Sequence, residues 1–153
     1  MNWDEYFFNI AHEVSRKSKD PSTKFGSVIV KPDRTLVSVG FNGFPRGVID
    51  SDDRYNDRPT KYKFVVHAEM NALMSACKNG ISVDGCALYI QAYPCSSCCK
   101  LIIQAGIKEI ILDGDSEILN NAEFTARWQT DIDTTILMCQ EAGVKIRIYK
   151  RSQ

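Results

Sequence analysis

A histidine and two cysteines that lie far apart in the sequence constrain most strongly how this chain can fold. His67 opens His67-Ala68-Glu69, and Cys95 and Cys98 belong to Pro94-Cys95-Ser96-Ser97-Cys98. One imidazole and two thiolates are zinc ligands, and three protein ligands leave the fourth position of a tetrahedral zinc open for water. Because both segments are predicted to begin helices, the fold is expected to bring two helix N-termini together at one zinc ion.

Glu69 adds a carboxylate beside the predicted ligands. Its offset of two residues from His67 lets it reach the same cavity without binding the metal, where it would serve as general base and then general acid. The partial positive charge of a helix N-terminus lowers the pKa of Cys95 and Cys98 toward the thiolates that zinc requires. The combination suits hydrolysis of a ring C–N bond, and His-x-Glu followed by Pro-Cys-x-x-Cys is a signature of zinc deaminases.

The remaining cysteines leave an alternative open, which is a structural zinc closed by a fourth ligand. Cys99 directly follows Cys98, but adjacent residues diverge by about a third of a turn on a helix, so Cys99 is expected to point into the core or toward a partner chain. Cys77, Cys86 and Cys139 fall inside predicted elements and are expected to be small buried hydrophobic residues.

The composition is that of an ordinary globular protein. The length of 153 residues suits a single domain over 1–153. Nineteen basic residues balance nineteen acidic ones, so no strong overall field attracts nucleic acid or an anionic membrane. The acidic start predicts no signal peptide, and the absence of a long apolar run predicts no membrane span. The six cysteines therefore favour a reducing, cytoplasmic location and a metal site over disulfides.

Hydrophobic periodicity predicts an α/β fold with the order α-β-β-α-β-α-β-α-β. Two stretches, 42–63 and 113–130, are expected to be long irregular loops. The helices between the later strands permit parallel crossovers. We therefore expect a three-layer α/β/α sandwich around a five-stranded mixed sheet, with the last strand parallel to its neighbour. The pattern predicts helices over 3–18, 67–78, 94–104 and 131–141, and strands over 25–30, 36–41, 86–91, 108–112 and 145–149.

Nearly the whole chain, from Tyr6 to about Tyr149, resembles the cytidine and deoxycytidylate deaminase superfamily, and within it the deoxycytidylate (dCMP) deaminases. The resemblance implies a cytidine deaminase-like fold. The metal motif marks only the superfamily, whereas the Asn-Gly-x-Pro-x-Gly loop together with His-Ala-Glu-x-Asn-Ala is more specific. The matching segments are Asp20 to Val30, Phe41 to Gly47, His67 to Ala72, the cysteine segment, and Ile103 to Ile107.

The resemblance assigns roles to individual residues. It implies that His67, Cys95 and Cys98 hold one catalytic zinc ion and that Glu69 moves the protons. Asn42 would bind the sugar or base side of a nucleotide, the Ala68 backbone N–H would meet the pyrimidine carbonyl, and Asn71 would face the sugar-phosphate. The alternative for Asn71 is a helix cap or a surface amide. The substrate phosphate needs a cation or a nest of N–H groups. The candidates for it are Lys24, Arg46 and, preferred among them, Arg127.

Two departures from the family pattern matter. Some members bind a second, structural zinc through cysteines in the regions where this chain carries Asp20 and Asp50, so a single zinc ion is expected. Phe41 stands where the family often has Tyr, in a loop that is linked to activation by dCTP and inhibition by dTTP in regulated members. These nucleotides are therefore candidate effectors. Family members are commonly homohexamers, so the resemblance also implies a homo-oligomer.

The leading hypothesis is hydrolysis of dCMP to dUMP and ammonia, which supplies dUMP for thymidylate synthesis. A bifunctional dCMP/dCTP deaminase shares the same motif, because the two activities differ only in the phosphate pocket. A tRNA adenosine deaminase also has His-Ala-Glu and Pro-Cys-x-x-Cys, but a basic surface is expected of it. The remaining alternative is a zinc-stabilised binding module without catalysis.

Overall fold

The computed structural model of the chain describes residues 1–151. This range contains six helices and five strands, and their order is the predicted one apart from two additional short helices between the second and third strands. The elements are α1 (Trp3–Ser15), β1 (Gly26–Val30), β2 (Leu36–Phe41), α2 (Asp52–Asn56), α3 (Arg58–Phe64), α4 (Ala68–Lys78), β3 (Ala87–Ile90), α5 (Ser96–Gln104), β4 (Glu109–Asp113), α6 (Ala122–Ala142) and β5 (Lys145–Tyr149).

The five strands form one mixed sheet in the order β2-β1-β3-β4-β5. β1 is antiparallel to β2 and to β3, whereas β3, β4 and β5 run parallel to one another. The helices α5 and α6 supply the crossovers that parallel neighbours require. The prediction of a five-stranded mixed sheet with a parallel last strand is thus confirmed.

Helices cover both faces of this sheet. Successive side chains of a strand point to opposite faces, and apolar side chains on each face are buried against helices. On one face, Phe7 and Phe8 of α1 pack against Val28, Tyr89 and Ile111. The opposite face packs against the helices that carry the metal motif and against α6. Its buried residues include Ile29, Leu88, Ile90, Ile102, Ile110, Leu112 and Cys139. The three-layer α/β/α sandwich is confirmed.

The two stretches predicted to be irregular are partly helical. Residues 42–63 contain α2 and most of α3, and α6 begins at Ala122 instead of 131. Local capping explains both differences, because Ser51 and Asn121 accept hydrogen bonds from the backbone N–H groups of Arg54 and Phe124. The added turns carry many exposed residues, which weakens the apolar periodicity that marks a helix.

Smaller corrections concern the ends of two predicted helices. α1 ends at Ser15, and α5 begins at Ser96 with Cys95 as its N-cap, so Pro94 precedes the helix. Among the cysteines, Cys86 and Cys139 are buried as predicted, but Cys77 is exposed, so that prediction was wrong.

Helix packing against the sheet depends on a close approach at β1. A Cβ atom on Gly26 would lie 1.9 Å from the carbonyl oxygen of Ala11 in α1, so only glycine fits there. No helix within residues 1–151 combines the length with the apolar character needed to cross a membrane.

Candidate metal centre and active site

His67, Cys95 and Cys98 come together, and their candidate ligand atoms all lie within 4.8 Å of one another. The Nδ1 atom of His67 is 3.5 Å from the Sγ atom of Cys95 and 3.5 Å from the Sγ atom of Cys98. Usual Zn–N and Zn–S bond lengths with a tetrahedral angle put such atoms about 3.6 Å apart. The donor set and its spacing therefore fit a zinc ion bound through Nδ1 of the histidine.

Two helix starts position these ligands. His67 is the N-cap of α4, and Cys95 is the N-cap of α5, which follows β3. Cys98 lies in the first turn of α5, and its backbone N–H donates to the Sγ atom of Cys95 over 3.4 Å. The predicted meeting of two helix N-termini is present, and it places partial positive charge beside the sulfur atoms.

The two cysteines of the centre differ in the direction of their pKa shifts. A hydrogen bond from the Cys98 thiol, aided by neighbouring His67, lowers the pKa of Cys95 to about 4. The same hydrogen bond, with burial, raises the pKa of Cys98, so the lowering expected from the helix N-terminus is found for Cys95 and not for Cys98. The hydrogen bond with Cys95 raises the pKa of His67 to about 9. Before a metal binds, the lowered pKa of Cys95 and the raised pKa of His67 favour a thiolate beside an imidazolium. Binding of zinc through Nδ1 would require His67 to lose that proton.

Glu69 lies in the first turn of α4, directly beside the ligands. Its Oε1 atom is 3.6 Å from Nδ1 of His67, and its side chain is 7% exposed. Burial raises the pKa of the Glu69 carboxyl, and the charge of His67 only partly opposes that effect. A carboxyl whose pKa is raised toward neutrality is suited to accept and return a proton.

A cavity of about 1130 Å³ adjoins this centre and is large enough for a small molecule. Glu69 and His67 form part of its wall, and further lining residues come from α3, from the loop after β4, from α6 and from the segments before β1 and after β3. Its aromatic lining residues are Phe25, Tyr62, Tyr93, Phe124 and Trp128.

Two of the residues predicted to bind the base or sugar lie at the cavity that the described residues form, and the third does not. Ala68 and Asn42 line the cavity. As the first residue of α4, Ala68 has a backbone N–H without an intrahelical acceptor. The side chain of Asn42 is already bonded to the neighbouring loop. Its Oδ1 accepts from the Phe25 N–H at 2.9 Å, and its Nδ2 donates to the carbonyl oxygen of Thr23 at 2.9 Å.

Asn71 lies outside the part of the wall that the described residues form. Its Nδ2 atom donates to the carbonyl oxygen of Phe41 at 2.7 Å and to that of Val66 at 3.4 Å. Asn71 therefore fastens the end of β2 to the start of α4, which carries Glu69.

Of the three predicted phosphate cations, Arg127 lines the cavity, whereas Lys24 and Arg46 are not among its described lining residues. The Nζ atom of Lys24 instead donates to the carbonyl oxygen of Ser18 at 2.5 Å. The sequence prediction missed Arg58, which lines the cavity from the first turn of α3. Pro59 directly after it is typical of a helix start and was the available signal.

Asp20 and Asp50, the residues on which the expectation of a single zinc rests, form ion pairs. The Oδ1 atom of Asp20 is 3.2 Å from Nζ of Lys61, and both side chains are buried. Asp50 pairs with Lys19 at 3.0 Å. A lysine thus supplies the positive charge beside each of these carboxylates.

Asp131 and Thr135, which the sequence prediction did not single out, contact the metal-binding turn from α6. Asp131 accepts hydrogen bonds from the backbone N–H of Ser96 at 2.9 Å and from its hydroxyl at 2.5 Å. The hydroxyl of Thr135 donates to the carbonyl oxygen of Pro94 at 2.9 Å. Both neighbours of Cys95 are therefore attached to one helix.

Sequence comparison finds relatives over most of the chain. The family model of the cytidine and deoxycytidylate deaminase zinc-binding region matches residues 1–113. The deoxycytidylate deaminases of Mus musculus and Homo sapiens are 44% and 43% identical over an alignment of 122 residues, and the match covers 75% of this chain. The chain spans 66% of the length of these relatives, slightly under two thirds. An uncharacterized deaminase of Aliivibrio fischeri is 40% identical over 144 residues, which cover 94% of this chain and 91% of that protein.

Structural comparison agrees with the sequence comparison. The crystal structure of dCMP deaminase from the cyanophage S-TIM5, in complex with dCMP and dUMP, matches with a TM-score of 0.70. Its sequence is 28% identical, and the match covers 95% of this chain and 95% of that one.

Proposed function

The chain belongs to the cytidine and deoxycytidylate deaminase family, and we propose that it is a zinc-dependent dCMP deaminase that converts dCMP to dUMP and ammonia. One observation carries the proposal. The buried carboxyl of Glu69 lies 3.6 Å from Nδ1 of His67, beside a histidine and two cysteines with zinc-ligand spacing. The dCMP-bound relative and the mammalian deoxycytidylate deaminases support the choice of substrate.

His67, Cys95 and Cys98 would hold the zinc ion. When bound, zinc supplies the positive charge that makes water a nucleophile near neutral pH. Glu69 moves the protons of the reaction. Its carboxylate takes a proton from the water that attacks C4 of the cytosine ring and delivers it to ring N3. It then transfers a second proton, from the new hydroxyl group on C4 to the amino group, which leaves as ammonia.

The walls of the cavity would orient the nucleotide. We propose that the Ala68 backbone N–H donates to the pyrimidine carbonyl. Asn42 would contact the sugar or base through the acceptor capacity that its Oδ1 retains, and Asn71 would act indirectly by holding the start of α4. Arg127 and Arg58 would bind the phosphate, because both line the cavity and face it from two different helices.

Product analysis tests the reaction. The purified protein is incubated with dCMP, dCTP, deoxycytidine and cytidine monophosphate, and the uracil products are separated by liquid chromatography. The expected result is preferential conversion of dCMP, with activity abolished in Glu69→Gln while zinc remains bound. Full activity in Glu69→Gln would contradict the mechanism, and equal conversion of dCTP would indicate the bifunctional activity.

Single alanine variants test the phosphate subsite. Arg127→Ala and Arg58→Ala are each expected to raise KM for dCMP by about tenfold or more, because each removes a charge-assisted hydrogen bond. The same substitutions at Lys24 and Arg46 serve as matched controls, since these cations lie outside the described wall. If Lys24→Ala or Arg46→Ala raised KM for dCMP more than Arg127→Ala and Arg58→Ala do, the phosphate would be assigned to Lys24 or Arg46 instead.

We further propose a single catalytic zinc ion per subunit, a homo-oligomeric assembly, hexameric by analogy, and a cytoplasmic role in supplying dUMP for thymidylate synthesis. The ion pairs of Asp20 and Asp50 support the single zinc, because a lysine already neutralises each carboxylate. Metal analysis, sedimentation, and rate measurements with added dCTP and dTTP test the zinc count, the assembly and the proposed effectors respectively.

A further inference from the structure

α6 presents three residues at four-residue spacing toward the site. Residues four apart lie on one face of a helix, one above the other. Arg127 lines the cavity, Asp131 both lines it and contacts Ser96, and Thr135 contacts Pro94. One face of α6 therefore extends from the cavity to the turn that carries Cys95.

The contact of Asp131 uses both oxygen atoms of its carboxylate. Oδ2 accepts from the Ser96 backbone N–H at 2.9 Å, and Oδ1 accepts from the Ser96 hydroxyl at 2.5 Å. Ser96 is the first residue of α5, so its N–H has no intrahelical acceptor. Asp131 thus fixes both the position and the direction of the first turn of α5.

Thr135 holds the other side of Cys95. Its side chain is fully buried, and its hydroxyl donates to the carbonyl oxygen of Pro94 at 2.9 Å. Because Pro94 and Ser96 are both attached to α6, the backbone of Cys95 between them has little freedom to move. The same backbone sets where the Cys95 sulfur lies relative to His67.

We propose that Asp131 and Thr135 are positioning residues that hold Cys95 in its metal-binding geometry. The inference rests on the proposed function only in taking zinc as the bound metal. Partners of this kind orient metal ligands, and their removal typically lowers metal affinity or activity about 10- to 100-fold. Through Arg127, the same helix would also link the phosphate subsite to the metal-binding turn.

The test measures zinc release from the zinc-loaded protein into a chromogenic chelator. Asp131→Ala is expected to release zinc about 10- to 100-fold faster than the wild type, and Thr135→Val is expected to release it faster by a smaller factor. Asp133→Ala is the matched control, because Asp133 lies on the same helix, is exposed, and accepts a hydrogen bond only from Gln129 among its described partners. Its release rate should equal that of the wild type.

A second readout separates positioning from general stabilisation. In the cobalt-substituted protein, Asp131→Ala should change the visible absorption bands that report the geometry of the metal. Asp131→Asn, which keeps one acceptor oxygen, should release zinc more slowly than Asp131→Ala and faster than the wild type. If Asp131→Ala does not fold, Ser96→Ala removes the hydroxyl contact while keeping the backbone one.

An unchanged release rate together with an unchanged cobalt spectrum in folded variants would overturn the proposal. The proposal would also be overturned if Asp131→Ala lowered the unfolding temperature, relative to the wild type, by the same amount in the zinc-loaded and the chelator-treated protein while the cobalt spectrum stayed that of the wild type. Such a result would show general destabilisation without an effect on the metal site. Zinc release needs no substrate. A wild-type protein that deaminates no nucleotide would therefore refute the proposed function. The role of Asp131 and Thr135 would still be decided by the zinc release rates and the cobalt spectra.

Discussion

Replacing Glu69 by Gln should stabilise the metal-free protein while removing its activity. Gln keeps the shape of the side chain but cannot ionise. In the wild type the carboxyl is 7% exposed, and burial raises its pKa above the ordinary value of 4.5. The folded state therefore disfavours the charged form, and the cost of burying that charge disappears in the variant.

The sign follows from proton linkage. Because the pKa of Glu69 is higher in the folded than in the unfolded state, the folded protein binds more protons at pH values between the two. The contribution of Glu69 to stability is therefore fully present below pH 4.5 and is lost as the pH rises through the folded pKa. Desolvation of a buried polar or charged group costs about 1–3 kcal/mol, which corresponds to roughly 2–12 °C in Tm for a protein of this size.

Thermal unfolding of chelator-treated protein measures this effect. Glu69→Gln should exceed the wild type in Tm at about pH 8.5, and the difference should shrink at about pH 5.5. Glu117→Gln, which changes an exposed carboxylate, is the control and should show no such pH-dependent gain. A Glu69→Gln variant that is less stable than the wild type at the higher pH would refute the reasoning.

Three further predictions concern the scaffold. Arg147→Ala should lower the free energy of unfolding by about 1–3 kcal/mol in urea titrations, because Arg147 forms a bidentate ion pair with partly exposed Asp4. Since this pair lowers the pKa of Asp4, its contribution should disappear as the pH falls from 3.8 through the lowered pKa. Gly26→Ala should cost about 3 kcal/mol or more in urea unfolding, because its Cβ would lie 1.9 Å from a carbonyl oxygen of α1. Gly43→Ala is the control, because a Cβ atom at Gly43 would have no described neighbour closer than 3.6 Å, so it measures the loss of stability from replacing a glycine without a steric clash. Ile110→Ala, at a fully buried position of β4, should cost about 2–5 kcal/mol by calorimetry.

The sheet and the metal centre could be predicted because their signals are local. Continuous apolar runs such as Ala87–Ile90 indicate buried strands, and the ligand spacing of Cys95 and Cys98 is fixed by one helical turn. Cys77, which was predicted to be buried, lies on a helix with one face toward the core and one toward the surface. Whether Cys77 is buried or exposed therefore depends on how α4 is rotated against the sheet.

The cavity wall could not be predicted in the same way, because it depends on contacts between distant segments. The hydrogen bonds of Asn42 to the loop at Thr23 leave no trace in either segment alone. For α6, signals were present in Asn121 as N-cap and in Phe124 and Trp128 at helical spacing. The surrounding exposed residues concealed them, so Arg127 was assigned to a loop instead of to a helix.

The single face of α6 that carries Arg127, Asp131 and Thr135 has a consequence for engineering this protein. A one-residue deletion between Arg127 and Asp131 would rotate Arg127 by about 100° away from the cavity, while Asp131 and Thr135 kept their places. Substitutions confined to the first two turns of the helix would change the lining of the cavity and keep the contacts of Asp131 and Thr135 to the turn at Cys95. Residues 122–129 and the contacts of Asp131 and Thr135 thus occupy successive turns of one helix, so a library directed at residues 122–129 would vary the cavity lining and keep both contacts to the turn at Cys95.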